Sequence, residues 1–215
     1  MLDRDTNYYH YSRVNLLPWI QSVFPFQGRA LDVGYAAGLM GQALLNSGFD
    51  EVWGVETVES AWREASGRLT VAIHGHYPCP EVAAGGPFSA MFFMDSLEHM
   101  CDPWRALDEA AEILEPGGHL VMSVPNVSNY DILRRLLRGS WEYEDAGGLL
   151  DRGHMRFFTP SSLTASLSRA GFLTIAERDL LSQPRWFYGP LTFAARSLAP
   201  HLLVYQMLRI AIRRK

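Results

Sequence analysis

Short apolar runs alternate with segments of helical periodicity along most of the chain. The run at residues 29–34 ends in glycine and the run at 87–94 is apolar on both faces, as in strands buried within a parallel sheet. The pattern predicts strands at residues 29–34, 51–56, 69–73, 87–94 and 119–124 and one that begins at 172, with helices at residues 8–24, 39–47, 60–68, 104–114 and 161–170. Strands that alternate with helices at this spacing predict an α/β domain built on a doubly wound, mostly parallel sheet.

Two regions depart from this alternation. Residues 126–160 have weaker periodicity and are rich in Trp, Tyr, Gly and charge, so we interpret them as a substrate-covering insertion within a single domain of residues 1–215. Residues 191–215 are apolar but interrupted by Pro200, which predicts a helix followed by a last strand near residues 205–212. A weak contact of residues 186–193 with a membrane surface is the alternative for this C-terminal region.

Composition and charge narrow the class of protein. The length of 215 residues suits one domain with a substantial core, and the formal net charge of −4 argues against a nucleic-acid partner. Cys79 and Cys101 form no CxxC pair, which favours a reducing, cytoplasmic location. The charged first residues do not resemble a signal peptide, and no uncharged apolar stretch reaches the 18 residues that a transmembrane segment needs. The oligomeric state stays open.

Small residues follow the first predicted strand, where an open α/β sheet binds its ligands. Gly34, Ala36 and Gly38 let the backbone approach a ligand closely, and Glu56, at the end of the second strand, can accept hydrogen bonds from ribose hydroxyls. A dinucleotide fingerprint would place glycine at positions 34, 36 and 39, and position 39 is leucine, so an NAD site fits poorly. Taken alone, the loop also fits a tight strand-to-helix turn.

Four segments match one family in the same order. They are Leu31-Asp-Val-Gly-Tyr-Ala-Ala-Gly38, Asp95-Ser-Leu-Glu-His99, Ile113-Leu-Glu-Pro-Gly-Gly-His-Leu120 and Gly153-His-Met-Arg-Phe-Phe-Thr159. Over roughly residues 7–180 the chain resembles the class I S-adenosylmethionine-dependent methyltransferases, and its last segment resembles a subgroup encoded beside sugar and polysaccharide enzymes. The resemblance implies a Rossmann-like sheet of seven strands in the order 3-2-1-4-5-7-6, with the last strand antiparallel.

The resemblance also implies which residues bind the methyl donor, S-adenosylmethionine. They are Asp32, Gly34, Tyr35, Ala36, Gly38, Glu56, Thr57, His76, Asp95 and Ser96. Ala36 stands in place of the middle glycine of the first motif, and its methyl group narrows the space beside the donor. His76 falls where the family often has an aspartate that contacts the adenine amino group, although an imidazole can still hydrogen-bond or stack on the base. We therefore expect donor binding that is weaker than usual.

A second group of residues is predicted to act on the acceptor. A hydroxyl acceptor must lose its proton, and the candidate catalytic residues are Asp95, His99, His154 and Arg156. In one interpretation Glu98 and His99 hold the loop and Asp95 orients the donor. In a second interpretation, a divalent metal such as Mg²⁺ is bound by Asp95, Glu98, His99 and His154. This is implied by similarity to methyltransferases of ubiquinone precursors and of small-RNA 3′ ends, which have a carboxylate-x-x-Glu-His segment. In a third, His99 or His154 is the base.

Other residues near these segments also have two interpretations each. Arg152 and Arg156 either hold an anionic acceptor or pair with Asp145 or Asp151 and fix the insertion. The aromatic residues Trp141, Tyr143, Phe157 and Phe158 either line a pocket or form local core beneath a long loop.

The sequence predicts S-adenosylmethionine-dependent methyl transfer to a small-molecule or glycan acceptor, at a hydroxyl oxygen. The alternative from another class is a non-catalytic binding or scaffold protein that retains the fold, because Ala36 and His76 depart from the family pattern and fold does not fix function. A nucleotide-sugar dehydrogenase or epimerase ranks lower, since the chain lacks both the glycine spacing and a Tyr-x-x-x-Lys pair.

Overall fold

One mixed sheet forms the centre of the protein. The structure is a computed structural model that describes residues 12–145, 147–182 and 199–214. The strands are β1 (Arg29–Val33), β2 (Glu51–Glu56), β3 (Val71–His74), β4 (Phe88–Met94), β5 (Leu114–Pro125), β6 (Phe172–Leu181) and β7 (Val204–Arg213). Their order is β3-β2-β1-β4-β5-β7-β6. The first five strands pair in parallel, whereas β7 runs antiparallel to both β5 and β6. This order confirms the predicted Rossmann-like fold.

Helices connect the strands and pack on both faces of the sheet. Within the described ranges the α-helices are α1 (Leu17–Gln21), α2 (Leu39–Asn46), α3 (Glu59–Ala65), α4 (Pro80–Gly85), α5 (Pro103–Ile113), α6 (Tyr130–Leu137) and α7 (Pro160–Arg169). Short 3₁₀ turns lie at Val14–Leu16, Leu97–His99 and Pro200–Leu203.

The core lies on the two faces of β4. Phe93 belongs to the cluster that contains Leu107 of α5 and Leu163 of α7, whereas Phe92 belongs to the opposite cluster, with Leu44 of α2. All five side chains are fully buried. Because burial of each such side chain contributes about 1.5–3 kcal/mol, β4 is firmly held, and so is the segment that leaves its carboxyl end.

Strand β5 and the segment before β4 differ most from the prediction. Strand β5 begins at Leu114 and not at residue 119, because Leu114 already pairs with Phe88 of β4. The pairing register then shifts between Phe88 and Ala90. Helix α4 was not predicted. It has only six residues and begins with proline, so it is too short to show a helical period.

The region at 126–160 contains one helix, α6, that the weak periodicity did not predict. Ile132 of α6 packs with Leu149 and Leu150 in a small cluster of its own. Of the four aromatic residues in question, Trp141 packs against this cluster and Phe158 belongs to the main core, while Tyr143 and Phe157 are exposed. For Trp141 the structure therefore agrees with the local-core interpretation, whereas Phe158 packs in the main core.

The two ends of the chain are described only in part. Within the predicted helix at residues 8–24, a 3₁₀ turn at Val14–Leu16 precedes α1, and residues up to 11 lie outside the described ranges. The predicted last strand is present as β7. Residues 186–193 also lie outside the described part, so their contact with a membrane surface stays a prediction. No described helix is both long and apolar enough to span a membrane.

Candidate active site

A cavity of about 1150 Å³ opens at the carboxyl ends of β1, β2, β4 and β5. Its walls come from the loop after β1, the end of β2, the segment after β4 and the 126–160 region. Ligand sites of open parallel sheets lie at this edge, where the loops that follow neighbouring strands meet. The volume slightly exceeds that of a site for one drug-sized ligand, so the cavity has room for two small molecules side by side.

The glycines of the loop after β1 are required by close packing. Gly34 has φ +75°, and a Cβ there would lie 2.9 Å from Cβ of Ser96. Gly38 has φ +77°, and a Cβ there would lie 2.7 Å from Cβ of Ala65. Gly34 lines the cavity, but Gly38 does not. Gly38 lets α2 begin close to α3, and its role in donor binding stays a prediction.

Glu56 is held in place by backbone amides. Its Oε2 accepts a hydrogen bond of 2.8 Å from the amide of Ala36, and Oε1 accepts from the amides of Thr57 and Val58 at 2.8 and 2.9 Å. Ala36 has φ +49°, a left-handed conformation that favours glycine. The contact therefore ties the end of β2 to the loop after β1 and keeps a buried carboxylate at the wall of the cavity.

Asp32 is a second buried carboxyl group at this wall. Burial raises its pKa to about 7, and the negative charge of Glu56 adds to the effect. Its Oδ2 accepts no hydrogen bond from any described residue, and Oγ of Ser96 also has no described partner. Buried polar atoms without partners cost about 1–3 kcal/mol each, so these atoms favour a polar or cationic ligand. The exposed residues His76 and Thr57 line the same cavity, as does the buried Tyr35.

Three of the predicted acceptor-side residues converge after β4. One side-chain ligand atom from each of Glu98, His99 and His154 lies within 4.8 Å of the other two, and the two imidazole centroids are 4.8 Å apart. The carbonyl oxygen of Glu98 accepts hydrogen bonds from the amides of Met155 and Arg156, at 2.8 and 3.0 Å. These bonds attach the turn at 97–99 to the end of the 126–160 region, which brings residues 55 apart in sequence into one site.

Glu98 is the most deeply buried member of this group, with 2% of its surface exposed. Burial raises the pKa of its carboxyl well above the usual range, and the nearby charges of Asp95 and Asp151 raise it further. Its Oε2 has no hydrogen-bond partner among the described residues. The cluster is therefore a buried carboxyl group beside two imidazoles, a combination suited to binding a cation or moving a proton.

Asp95 lies apart from this cluster, although it lines the same cavity. Its Oδ1 accepts from Oγ of Ser123 at 2.6 Å and from Nε2 of Gln206 at 2.5 Å, and its Oδ2 accepts from Nε of Arg13 at 2.7 Å. The structure therefore does not support Asp95 as the fourth metal ligand, because its carboxylate is already bound by these donors. The three donors were missed in the sequence, since they lie 28 to 111 residues from Asp95 and carry no local signal.

The two arginines also separate. Arg152 forms an exposed ion pair with Asp145 at 2.9 Å, as one interpretation expected. The guanidinium of Arg156 donates to the carbonyl oxygen of Cys101 and lies 5.8 Å from the ring centroid of Trp104. Neither arginine lines the cavity, so a catalytic role for Arg156 is not supported by its position.

Comparison with known proteins gives one family. A family model described as a methyltransferase domain matches residues 8–177. The ubiquinone biosynthesis O-methyltransferase of Psychrobacter arcticus is 29% identical over 174 residues, which cover 76% of this chain and 64% of that protein. This chain thus spans less than two thirds of that relative's length.

Two crystal structures share the fold at low identity. A SAM-dependent methyltransferase from Archaeoglobus fulgidus has a TM-score of 0.67 and 16% identity, with 96% of this chain and 97% of that chain covered. The [4+2]-cyclase SpnF has a TM-score of 0.63 and 19% identity, with 94% of this chain and 80% of that chain covered. At these identities the similarity concerns the fold alone.

Proposed function

We propose that this chain, which belongs to the class I S-adenosylmethionine-dependent methyltransferases, transfers a methyl group to a hydroxyl oxygen of a small-molecule acceptor. One observation carries the proposal: a single cavity is lined by two chemically different groups. The acidic pair Asp32 and Glu56 lies beside the loop after β1, and Glu98 with its two histidines lies on the segment that follows β4.

The acidic pair fits the methyl donor. Glu56 is fixed by backbone amides and keeps lone pairs for ribose hydroxyls. The unpartnered Oδ2 of Asp32 suits the ammonium group of the donor's methionine part, because a nearby cation favours the ionised carboxylate. His76 is exposed at the same cavity, where its ring can stack on the adenine or hydrogen-bond its edge.

The group around Glu98 fits a divalent cation. Both Nδ1 atoms, of His99 and His154, lie within hydrogen-bond distance of backbone carbonyl oxygens, so the lone pair of each neutral ring is on Nε2. A cation bound to Glu98, His99 and His154 would supply Lewis-acid chemistry, lowering the pKa of the acceptor hydroxyl. Two imidazoles and one carboxylate suit Mn²⁺, Fe²⁺ or Zn²⁺ better than Mg²⁺, which prefers oxygen ligands, so the metal's identity belongs to the test.

Without a cation, the same Nε2 lone pair of His99 or His154 accepts the acceptor's proton. The carbon–oxygen bond forms as the carbon–sulfur bond breaks, and the hydroxyl proton passes to the imidazole and then to water. One ring cannot bind a metal and accept a proton through Nε2 at the same time. The dependence of the rate on added metal therefore separates the two mechanisms.

Two classes of acceptor follow from different observations. The name of the curated relative supports a hydroxyl oxygen as the methylated atom. The segment from Gly153 to Thr159 resembles the subgroup encoded beside sugar and polysaccharide enzymes, which supports a glycan acceptor.

We also propose a cytoplasmic location. Cys79 and Cys101 form no disulfide, as is usual for cysteines in a reducing compartment.

The first test is donor binding measured by calorimetry with S-adenosylmethionine and S-adenosylhomocysteine, with and without Mg²⁺ or Mn²⁺. We expect micromolar binding that Glu56→Ala abolishes and Glu59→Ala, an exposed control three residues away, leaves unchanged. Methyl transfer is then assayed with phenolic and sugar hydroxyl acceptors. No binding up to about 1 mM by folded protein, an affinity weaker than about 4 kcal/mol, would overturn the enzyme in favour of the scaffold protein.

A further inference from the structure

The two histidines of the acceptor-side cluster are bound to one short segment. Nδ1 of His99 lies 2.9 Å from the carbonyl oxygen of Gly153, and Nδ1 of His154 lies 3.2 Å from the carbonyl oxygen of Leu149. A carbonyl oxygen can only accept a hydrogen bond, so each neutral ring carries its proton on Nδ1. The lone pair of each ring is then on Nε2, the atom that a metal ion or an acceptor proton would meet.

Asp151 holds this segment together. Its Oδ1 accepts a hydrogen bond of 2.6 Å from the amide of Gly153, and its carbonyl oxygen accepts one of 2.9 Å from the amide of His154. Only 1% of Asp151 is exposed, although it lines the cavity. The carboxyl group therefore holds the amide of Gly153, the residue whose carbonyl oxygen binds His99. The backbone carbonyl of Asp151 holds the next peptide through the amide of His154.

We propose that Asp151 is a positioning residue that fixes the Nδ1–H tautomer of both His99 and His154 through the turn 149–153. The inference rests on the proposed function for its chemical purpose, because the Nε2 lone pairs matter only where they bind a metal or accept a proton. The tautomers themselves are a property of the folded chain and are measured without any substrate.

The tautomers are read by two-dimensional ¹H–¹⁵N NMR of the imidazoles at pH 8. In the wild-type protein we expect both His99 and His154 to show a protonated Nδ1 and an unprotonated Nε2. Asp151→Ala is expected to yield tautomer mixtures at both rings, whereas Asp151→Asn, which keeps an oxygen acceptor for the amide of Gly153, restores the wild-type pattern. Asp145→Asn is the matched control, an exposed carboxylate in the same region.

Metal affinity gives the second readout. We expect Mn²⁺ to bind at least about tenfold more weakly to Asp151→Ala than to the wild type, because loss of groups that orient metal ligands costs about 10–100-fold in affinity. Asp151→Asn and Asp145→Asn are expected to stay within about threefold, and S-adenosylhomocysteine should bind all four proteins equally.

Several results would overturn the proposal. A wild-type spectrum with Nε2 protonated on either ring contradicts it, even if Asp151→Ala does not fold. A folded Asp151→Ala protein that keeps both wild-type tautomers contradicts it as well. If the wild type neither binds metal nor transfers methyl groups but shows the expected tautomers, the proposed function fails while the role of Asp151 in fixing the rings stands.

Discussion

Backbone strain is concentrated at the cavity. Among the residues that the structure describes, the non-glycine residues with positive φ are Ala36 (+49°) and Asp95 (+56°), and both line the cavity. Such conformations cost about 1 kcal/mol or more and persist only where other contacts enforce them. The amide of Ala36 is bound by Glu56. The carboxylate of Asp95 is bound by Arg13, Ser123 and Gln206. The strain therefore marks the two loops that shape the site.

Replacing Ala36 by glycine is expected to help the donor without harming the fold. Relief of the left-handed strain offsets the extra chain entropy of glycine, so the free energy of unfolding should stay within about 1 kcal/mol of the wild type. Because Ala36→Gly removes the alanine methyl group beside the donor, S-adenosylhomocysteine should bind the variant several-fold more tightly than the wild type in calorimetry. The control is Ala37→Gly, a buried neighbour without positive φ, which should lose about 1 kcal/mol in urea unfolding. An unchanged affinity in Ala36→Gly would remove the steric argument.

Asp32→Asn should make the ligand-free protein more stable at high pH. The carboxyl has a pKa of about 7 in the folded protein and about 3.8 when unfolded. Below pH 4 both states are protonated; above pH 7 both are ionised and the folded state bears the full cost, at most about 4 kcal/mol. The stability gained by Asp32→Asn therefore grows from pH 4 to pH 8 in urea titrations, while donor binding is lost. Asp108→Asn, which changes an exposed carboxylate, is the control. A gain in stability of Asp32→Asn that does not depend on pH would contradict the assignment.

At the scale of elements, the start of α2 depends on one close approach. Gly38→Ala combines a left-handed φ with a contact of 2.7 Å to Cβ of Ala65, so it should destabilise the protein by about 2–4 kcal/mol. Gly139 has a similar φ of +73°, and a Cβ there would have no described atom within 4 Å. Gly139→Ala therefore measures the cost of the left-handed backbone alone, about 1 kcal/mol. Thermal and urea unfolding measure both. Equal losses in the two variants would show that the contact between α2 and α3 does not limit packing.

The contact between the N-terminal segment and the loop after β4 is open to a double-mutant cycle. Arg13 and Asp95 are 2.7 Å apart and mostly buried, with 13% and 24% of their side chains exposed. Arg13→Met leaves a buried carboxylate without its cation and should cost about 1–3 kcal/mol. In an Asp95→Asn background the same change should cost clearly less, which gives a coupling energy of about 1 kcal/mol. Additive losses would show that Gln206 and Ser123 alone hold Asp95.

The parts of the fold that the sequence predicts are those whose signal is local. Strands β1 and β4 are short apolar runs, and Gly34, Ala36 and Glu56 follow at fixed spacing, so their position at one edge of the sheet is predicted from neighbouring residues alone. Helix α6 was missed because three of its leucines, at 133, 136 and 137, are exposed and blur its period. The partners of Asp95 were not predicted for a different reason: Arg13 and Gln206 come from distant elements.

At the scale of the whole molecule, distant parts of the chain meet at one edge of the sheet. The cavity takes Arg13 from the first described segment, Asp32 and Glu56 from the first half, and Gln206 from β7. Methyl transfer by a class I fold relies on positioning and exclusion of water more than on covalent chemistry, so the donor and acceptor must meet in one geometry. The continuous sheet beneath the cavity provides the fixed frame that this requires.

The position of β7 between β5 and β6 also limits which strands can pair while the chain is being synthesised. In the described sheet β6 pairs with β7 alone, yet the ribosome makes β6 first. A nascent chain that has emerged only as far as residue 182 can assemble β1 to β5, but its sixth strand has no neighbour to pair with and Asp95 lacks Gln206. The side of the cavity that holds Asp32 and Glu56 can thus form during translation, whereas the contact between Asp95 and Gln206 forms only after β7 has left the ribosome.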